Sequence, residues 1–583
     1  MAAGNRSVLV VLDSRRRVAR IGADGSVFAA LDHFGVAWEV LECGDYMGSP
    51  PGHLQARAAY VLAHDGAGAG LTDAQAQTIA AEVAAGAGFV SFDREIDSWP
   101  QALAALAPAT GPAEEVAALE FTDDGGFIAF GHEQDERIEF DMPLSARTLR
   151  IQAPWRPLLR TPGGACAAAT GTAGQGRVVV FGCGERLWAD EVFGHVRGVD
   201  GLMWRALVWV ARKPFPMRCI PPFVSARMDD CNGTYGAFAY VEAMNRHGIR
   251  PNLGLFIDEM GPTDWTAAKR LYDSGGADFS MHAFRDDFYV ALPNYRPYAV
   301  LPDKPDLSQG GKQTLFEGLS VCHVSGRDLP DETILRNFRR MDEAFSRAGI
   351  RHSRIVNAHF GEIANRAVPL FLERGADMPS NNSAVGQLYG NQPPYRPRPY
   401  GIRGLTGRHG LVIDRCPQHP GMTFINMSQS HLGATHMAGD ILSGLVPFIG
   451  EADSPMLPEA IDRGSANVKF GLDALAFGII MTHEERINVI SPEDWRTVID
   501  GIMRGLEGWD LECTGREHVS IITRRLLDSR LVRAELTADG LECELCGVTD
   551  GPSPLTVWEN EGDGCVRRVE EVERLEGFGR VVV

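Results

Sequence analysis

An apolar run, Phe223-Val224-Ser225-Ala226-Arg227-Met228, ends in two adjacent carboxylates, Asp229 and Asp230. Side chains alternate along a strand, so such a pair shares one cleft only where the strand ends. The C-terminal edge of parallel strands is where open sheets and barrels place ligands. One carboxylate there can hold a hard or borderline cation while its neighbour takes a proton from water. Three further apolar runs end in histidine, at His282, His359 and His483. A lone strand-end histidine is more often structural. Three of them sharing that position with Asp-Asp favour a metal or acid/base site.

The segments between these residues read as the elements that would position them. A helical stretch over 235–247 stops at Gly248 and a strand follows over 249–256. A helix over 264–274 is closed by Gly275-Gly276, and the 277–282 strand ends in the first histidine. A helix over 330–348 starts at Pro330 or Asp331 and ends at Gly349. The 354–361 strand then carries the second histidine, and a helix over 367–374 stops at Gly375. The 477–483 strand carries the third. Ser491 caps a helix over 492–506, with Pro492 at the favoured first position. Strands alternating with helices predict parallel α/β architecture.

The flanks differ. Before residue 216, strands are expected over 7–12, 37–41, 59–62, 88–92 and 176–182. Helices are expected over 26–34, 71–85 (capped by Thr72 or Asp73) and 201–211. This predicts a doubly wound sheet. After 513, strands over 518–522, 532–536 and 541–545 and the turn Gly551-Pro552-Ser553-Pro554 predict a small β-rich domain.

Composition narrows the partners. The 583 residues are 44% hydrophobic and 23% charged, with net charge 56 − 76 = −20. Nucleic acid and anionic membrane both call for a basic surface and are excluded as expected partners. No apolar run reaches the ~18–20 residues of a membrane helix. The apolar stretch before Arg15-Arg16-Arg17 is shorter than the roughly 7–15 residues of a secretion signal, so a cytoplasmic location is expected. Eleven scattered cysteines suit a reducing compartment. Cys543 and Cys546 form a C-x-x-C with no second pair, which reads as incidental.

The central block, 217–512, resembles NodB-homology polysaccharide deacetylases, the carbohydrate esterase family four fold. That family's Thr-Phe-Asp-Asp-Gly motif corresponds to Arg227-Met228-Asp229-Asp230-Cys231. Its His-Ser-x-x-His motif corresponds to His282-Ala283-Phe284-Arg285-Asp286, with the second histidine replaced. Arg-x-Pro-x-Gly aligns with Asn357-Ala358-His359-Phe360-Gly361, keeping only the glycine. Leu-x-Leu-x-His aligns with Ile479-Ile480-Met481-Thr482-His483. The resemblance implies a distorted (β/α) barrel, Asp229 as general base and His483 as general acid. It implies a divalent metal, zinc foremost, on Asp230, His282 and a third ligand, either Asp286 or His359; the alternative is that no metal binds and the carboxylates act alone, as in some relatives that act on cyclic amides. Arg227, Asn357 and Asp377 become candidates for substrate contacts. The implied activity is hydrolytic removal of an acyl group, acetyl foremost, from a carbohydrate or amino sugar.

Insertions are expected near 289–326 and 383–468. Their tyrosines fit sugar stacking or the interface of a homo-oligomer equally well. His431 and His436, five apart, do not share a helical face. The 1–216 block resembles the class I glutamine-amidotransferase fold in its trehalose-utilisation variant. Catalytic members carry a cysteine on a turn that here reads Ala63-His64-Asp65-Gly66, so a non-catalytic scaffold is expected. Two alternatives stay open: a glycoside or cyclic-amide hydrolase on the same barrel, and a glycan-binding protein without turnover.

Overall fold

A computed structural model describes residues 4–43, 54–122, 126–189, 191–233, 236–284, 318–322, 327–359, 363–379, 411–416, 419–427, 439–447 and 456–583. The architecture is mixed α/β. In the N-terminal region, five parallel strands lie in the order Trp38–Glu42, Val8–Leu12, Ala59–Leu62, Gly88–Ser91, Gly176–Phe181. The chain leaves Val8–Leu12 in both directions, as expected of a doubly wound sheet. Apolar side chains fill both of its faces, since all five Val8–Leu12 residues are buried. Asp73–Ala84 begins with a capping box between Thr72 and Gln75. The helix expected over 26–34 starts earlier, as Arg17–Ala23, and continues through a π-helical turn, Asp24–Phe28, into Ala29–His33.

Four strands of this nine-stranded sheet were not legible in the sequence. Ala109–Phe121, Arg137–Arg150, Arg156–Arg160 and Cys166–Ala173 extend it with antiparallel pairing.

The central region is built on parallel strands in the order Asp278–Ala283, Pro251–Phe256, Phe223–Cys231, Gly478–His483. Beyond Asp278–Ala283, the Ser353 amide donates to the Phe279 carbonyl at 2.7 Å, bringing in Ile355–Val356, which pairs in parallel with Met378–Pro379. On the other side Asp440 bridges Met481 in parallel. The strands thus curl into a small barrel. Pro262–Asp273, Asp331–Ala348, Val368–Glu373, Leu457–Asp473 and Pro492–Arg504 supply helical cover. Their apolar faces join the strands in one core that includes Phe238, Phe279, Phe338, Met341 and Trp495. Gly349 ends Asp331–Ala348 in the left-handed conformation, and the Ser491 hydroxyl caps Pro492–Arg504, accepting from the Asp494 amide at 3.0 Å.

Several expectations shift. Within 235–247 only Val241–Asn245 is α-helical. The 354–361 strand shrinks to Ile355–Val356. The second insertion is shorter than 383–468, because Leu457–Asp473 packs its Val468 against Gly478 of the barrel. Residues 518–522 are not a strand but lie in the helix Arg516–Leu527. Its buried Val519, Ile522, Thr523 and Leu526 recur at helical spacing.

The last region is antiparallel: Ser529–Leu536, Leu541–Val548 and Glu576–Val582 in one sheet, Ser553–Glu561 and Gly564–Val572 in another. Gly4–Asn5 joins the first sheet and Phe215–Met217 the second. The divisions at 216 and 512 are therefore crossed by pairing strands. Cys543 and Cys546 are both unbridged. Among the described residues, no helix is long and apolar enough to cross a membrane.

Candidate functional site

The site lies at the C-terminal ends of the barrel strands. Asp229 stands opposite His483 in the register between Phe223–Cys231 and Gly478–His483. Alternation alone would turn Asp230 away. Instead the pairing with Pro251–Phe256 slips between Met228 and Cys231, and Asp230 adopts φ 54°. A bulge of this kind re-aims one side chain. The left-handed conformation costs roughly 1 kcal/mol for most residues and is tolerated best by Asp and Asn after glycine. Both carboxylates of the pair consequently serve one cleft.

Asp230, His282 and His359 form a buried group whose ligand atoms all lie within 4.8 Å of one another. His282 Nε2 is 3.0 Å from Asp230 Oδ1 and His359 Nε2 is 3.7 Å from the same oxygen. Tetrahedral bonds of about 2.1 Å would separate ligand atoms by about 3.4 Å, close to these spacings. The tautomer of His282 is fixed: its Nδ1–H donates to the Asn357 carbonyl at 2.6 Å, which leaves the Nε2 lone pair facing Asp230. Asp230 Oδ1 is buried and accepts no hydrogen bond among the described residues. A buried carboxylate oxygen left in that state is what a cation would satisfy. The group could hold a metal ion.

Gly254, in the middle of Pro251–Phe256, makes the crowding tolerable. A Cβ there would meet Asn357 Nδ2 at 2.6 Å and His282 Nδ1 at 3.1 Å. Phe256, further along the strand, lies 5.7 Å from the His282 ring and 5.8 Å from the His359 ring, forming an apolar wall.

Asp229 sits in a different environment. Arg227, two residues earlier on the same strand face, donates from Nε to Oδ1 at 2.7 Å and from Nη2 to Oδ2 at 2.5 Å. Asn357 Nδ2 donates to Oδ1 at 2.9 Å. Burial alone would raise this carboxyl, but the Arg227 guanidinium, with His282 and His483 behind it, holds it well below the usual carboxylate range.

His483 is paired through Nδ1 with Asp440 Oδ2 at 2.8 Å, and its Nε2 faces Asp230 Oδ2 at 3.9 Å. Asp440 is itself fixed. Thr482 Oγ1 donates to it at 2.6 Å, the Leu442 amide at 2.9 Å, and Arg486 lies at 2.8 Å. Burial would lower His483, yet Asp230 and Asp440 raise it above the ordinary imidazole value. Burial would raise Asp440, and His483 with Arg486 depresses it. The result is an imidazole biased toward its protonated form with a defined outward nitrogen.

Five of the expected residues, Asp229, Asp230, His282, His359 and His483, therefore meet in one place. Asp286, the other candidate for third ligand, lies outside the described residues, as do His431 and His436. Arg227 and Asn357 are buried and engaged with Asp229 and His282, which makes them positioning groups rather than substrate contacts. Asp377 does not belong to the site. Its oxygens bind Arg354 at 3.0 and 2.5 Å and also Arg524, at the start of the short Ile355–Val356 strand rather than its end. Asp440 and Arg486 were missed. Asp440 falls in a stretch with no regular apolar period, and its spacing from His483 carries no motif.

Comparisons with known proteins add little. No family model matches the chain, and no curated protein does. Among solved structures, a cytoplasmic protein of Salmonella typhimurium is 12% identical, over 32% of this chain and 88% of its own, with TM-score 0.25. A ThuA-like protein of Bacteroides uniformis is 13% identical, over 36% and 95%, with TM-score 0.28. A β-galactosidase from Rahnella is 14% identical, over 31% and 29%, with TM-score 0.21. Likenesses this slight carry no argument about fold or function.

Proposed function

We propose that the chain is a metal-dependent hydrolase that removes an acyl group, most simply acetyl, from a carbohydrate or amino sugar. The barrel would then be of the NodB deacetylase type and the N-terminal region an amidotransferase-like scaffold. The observation that carries this reading is the convergence of Asp230, His282 and His359 beside Asp229 and the His483–Asp440 pair.

Two imidazoles and a carboxylate are a borderline donor set, which favours zinc over calcium or magnesium. When bound, such an ion polarises a carbonyl and acidifies water. Asp229, held ionised by Arg227 and Asn357, accepts a proton. A carboxylate with so little proton affinity is a weak base, so its part is effective only toward an acidified water. His483, oriented through Nδ1 by Asp440, carries a proton on Nε2 to the departing amine or alcohol. Neither leaves readily as an anion. Phe256 excludes water from the histidine side of the cleft.

A second reading, a glycan-binding protein without turnover, is favoured by one observation. Both oxygens of Asp229 are already occupied by Arg227. Acetate release from acylated amino sugars, with and without chelator, separates the two. Hydrolysis that chelator abolishes and zinc restores supports the hydrolase. In that case Asp229→Asn should retain the metal and lose at least 100-fold in rate. Binding of acylated sugars without any acetate release supports the second reading.

A further inference from the structure

The Arg-rich cleft of the N-terminal sheet has no part in the barrel chemistry. A doubly wound sheet opens a crevice at the C-terminal ends of its strands, where the chain leaves the first strand in opposite directions. Here that point lies between Val8–Leu12 and Ala59–Leu62. A cleft of about 940 Å³ sits over it, lined from the segments that follow four of the five parallel strands.

The loops at its floor are fixed. The Asp13 amide donates to His64 Nε2 at 3.0 Å, tying the first two loops together. Buried Asp93 accepts from the amides of Gly66, Gly68 and Glu95 at 2.7–2.8 Å and from Trp99 Nε1 at 2.8 Å. Gly66 adopts φ 76°, and a Cβ there would strike the Arg16 guanidinium, which lies across it.

Into this frame project Arg15, Arg16, Arg17, Arg94 and Arg186, with Glu185 beside them. Asp65 holds Arg94 through both oxygens. Glu95 pairs with Arg16 at 2.6 Å, Glu191 with Arg186 at 3.4 Å and Asp13 with Arg15 at 2.7 Å. Arg17 forms no ion pair among the described residues, and Glu185 pairs with none of the five. Glu185 is only 4% exposed, and its Oε2 is buried with no hydrogen-bond partner among the described residues. A buried oxygen without a partner is rare in folded proteins and calls for an explanation, of which a bound ligand is one.

The sign of the ligand follows from the charges. Burial first, then Asp65, pushes the Glu185 carboxyl up to about 8, against the lowering effect of Arg94 and Arg186. Near neutrality it is an uncharged O–H donor among five guanidinium groups. Four of the guanidinium groups are balanced by carboxylates and Arg17 leaves the balance positive, so an oxyanion, which can accept from Glu185 and from the arginines together, is favoured over a cation.

We propose that this cleft is a binding site for a small oxyanion, an organic carboxylate or phosphate ester, with Glu185 as a hydrogen-bond donor and the Arg15–Arg17 run and Arg186 as the cationic rim. It is separate from the barrel site and does not depend on that site's function.

The test is calorimetric titration of the full chain with succinate, inorganic phosphate and glucose 6-phosphate, with glucose as the neutral control. Saturable binding of at least one anion, and none of glucose, is expected. Glu185→Ala should weaken it at least tenfold. Glu185→Gln, whose amide still donates, should keep affinity within about threefold. Binding of succinate, which is fully ionised over this range, should weaken in the wild type from pH 7 to pH 9, as Glu185 ionises, while the Gln variant stays level. Unchanged urea unfolding midpoints in both variants show that the chain is folded. The proposal is overturned if no anion binds, if the Ala variant binds like the wild type, or if wild-type affinity for succinate rises toward pH 9.

Discussion

Asp440 shows how a residue without a motif can decide what a motif residue does. His483 is recognisable in the sequence because it ends an apolar strand. In the proposed reaction its competence as an acid depends on Asp440, which fixes the tautomer from a stretch with no regular pattern. Asp440→Asn would turn an acceptor-only group into one that can present a donor to Nδ1, favouring the wrong tautomer. Activity on an acylated sugar is expected to fall by on the order of 10²-fold, as for other residues that orient a site's ligands and acids. Zinc content should stay at the wild-type level, since Asp440 is not among the three ligand residues. Steady-state rates and metal analysis on the same preparation check this. Equal loss of metal and rate would instead make Asp440 part of the ion's own environment. At this scale the candidate ligands were legible because each ends an apolar run. Asp377 was misread because a lone acid near the right sequence position gives no hint of the two arginines that bind it.

Elements place these residues through two local irregularities. The bulge at Met228–Cys231 turns Asp230 into the cleft, and the bare Gly254 backbone leaves room for Asn357 and His282. Gly254→Ala is therefore expected to be more damaging than its small volume suggests. The added methyl, 2.6 Å from Asn357 Nδ2, would break that residue's bond to Asp229 and push on His282. Overpacking of this kind destabilises by about 1–3 kcal/mol. Urea unfolding should show that loss together with at least a tenfold weaker zinc affinity. An Ala variant with unchanged midpoint and affinity would show that the site relaxes freely. Parallel strands and capped helices were readable from apolar runs bounded by Gly, Pro and Ser. The helix Arg516–Leu527 was not, because Val519-Ser520-Ile521-Ile522 has β-forming composition and only its burial reveals the helical period. Ala109–Phe121 fails the other way. Its Ala and Glu content favours helix, and its pairing with Arg137–Arg150 makes it a strand.

The whole molecule is held together by buried polar groups as well as apolar cores. Arg205 and Asp473, both buried, pair at 3.0 Å between the N-terminal region and the barrel, and His33 Nε2 donates to the Ala474 carbonyl at 2.9 Å across the same junction. Burial pushes His33 down to about 4, and it does the same to His352, whose Nε2 accepts from the Met281 amide. Both have folded values below the unfolded 6.5. At these two groups the unfolded chain therefore binds more protons between pH 6.5 and 4, and their contribution to stability falls as pH drops through that window. The slope approaches about 1.4 kcal/mol per pH unit for each group. Buried carboxyls such as Glu185 and Glu484, raised to about 8 and about 7, act in the opposite sense, so the two imidazoles show in a difference. Urea unfolding of the wild type and His33→Gln at pH 7, 6 and 5 should show the Gln variant losing less stability on acidification, and equal pH dependence of the two would mean that His33 ionises without resistance. The overall assembly was the least legible level, because Gly4–Asn5 and Phe215–Met217 pair with strands more than 300 residues away, beyond any local pattern. The metal group unites all three scales, and zinc stoichiometry tests it most directly. Wild-type protein dialysed against excess zinc and then desalted is predicted to retain one ion per chain. Asp230→Asn, which keeps the left-handed backbone, and His282→Ala and His359→Ala should each retain less than a tenth of that. Full retention by any of the three variants, or no retention by the wild type, would contradict the account.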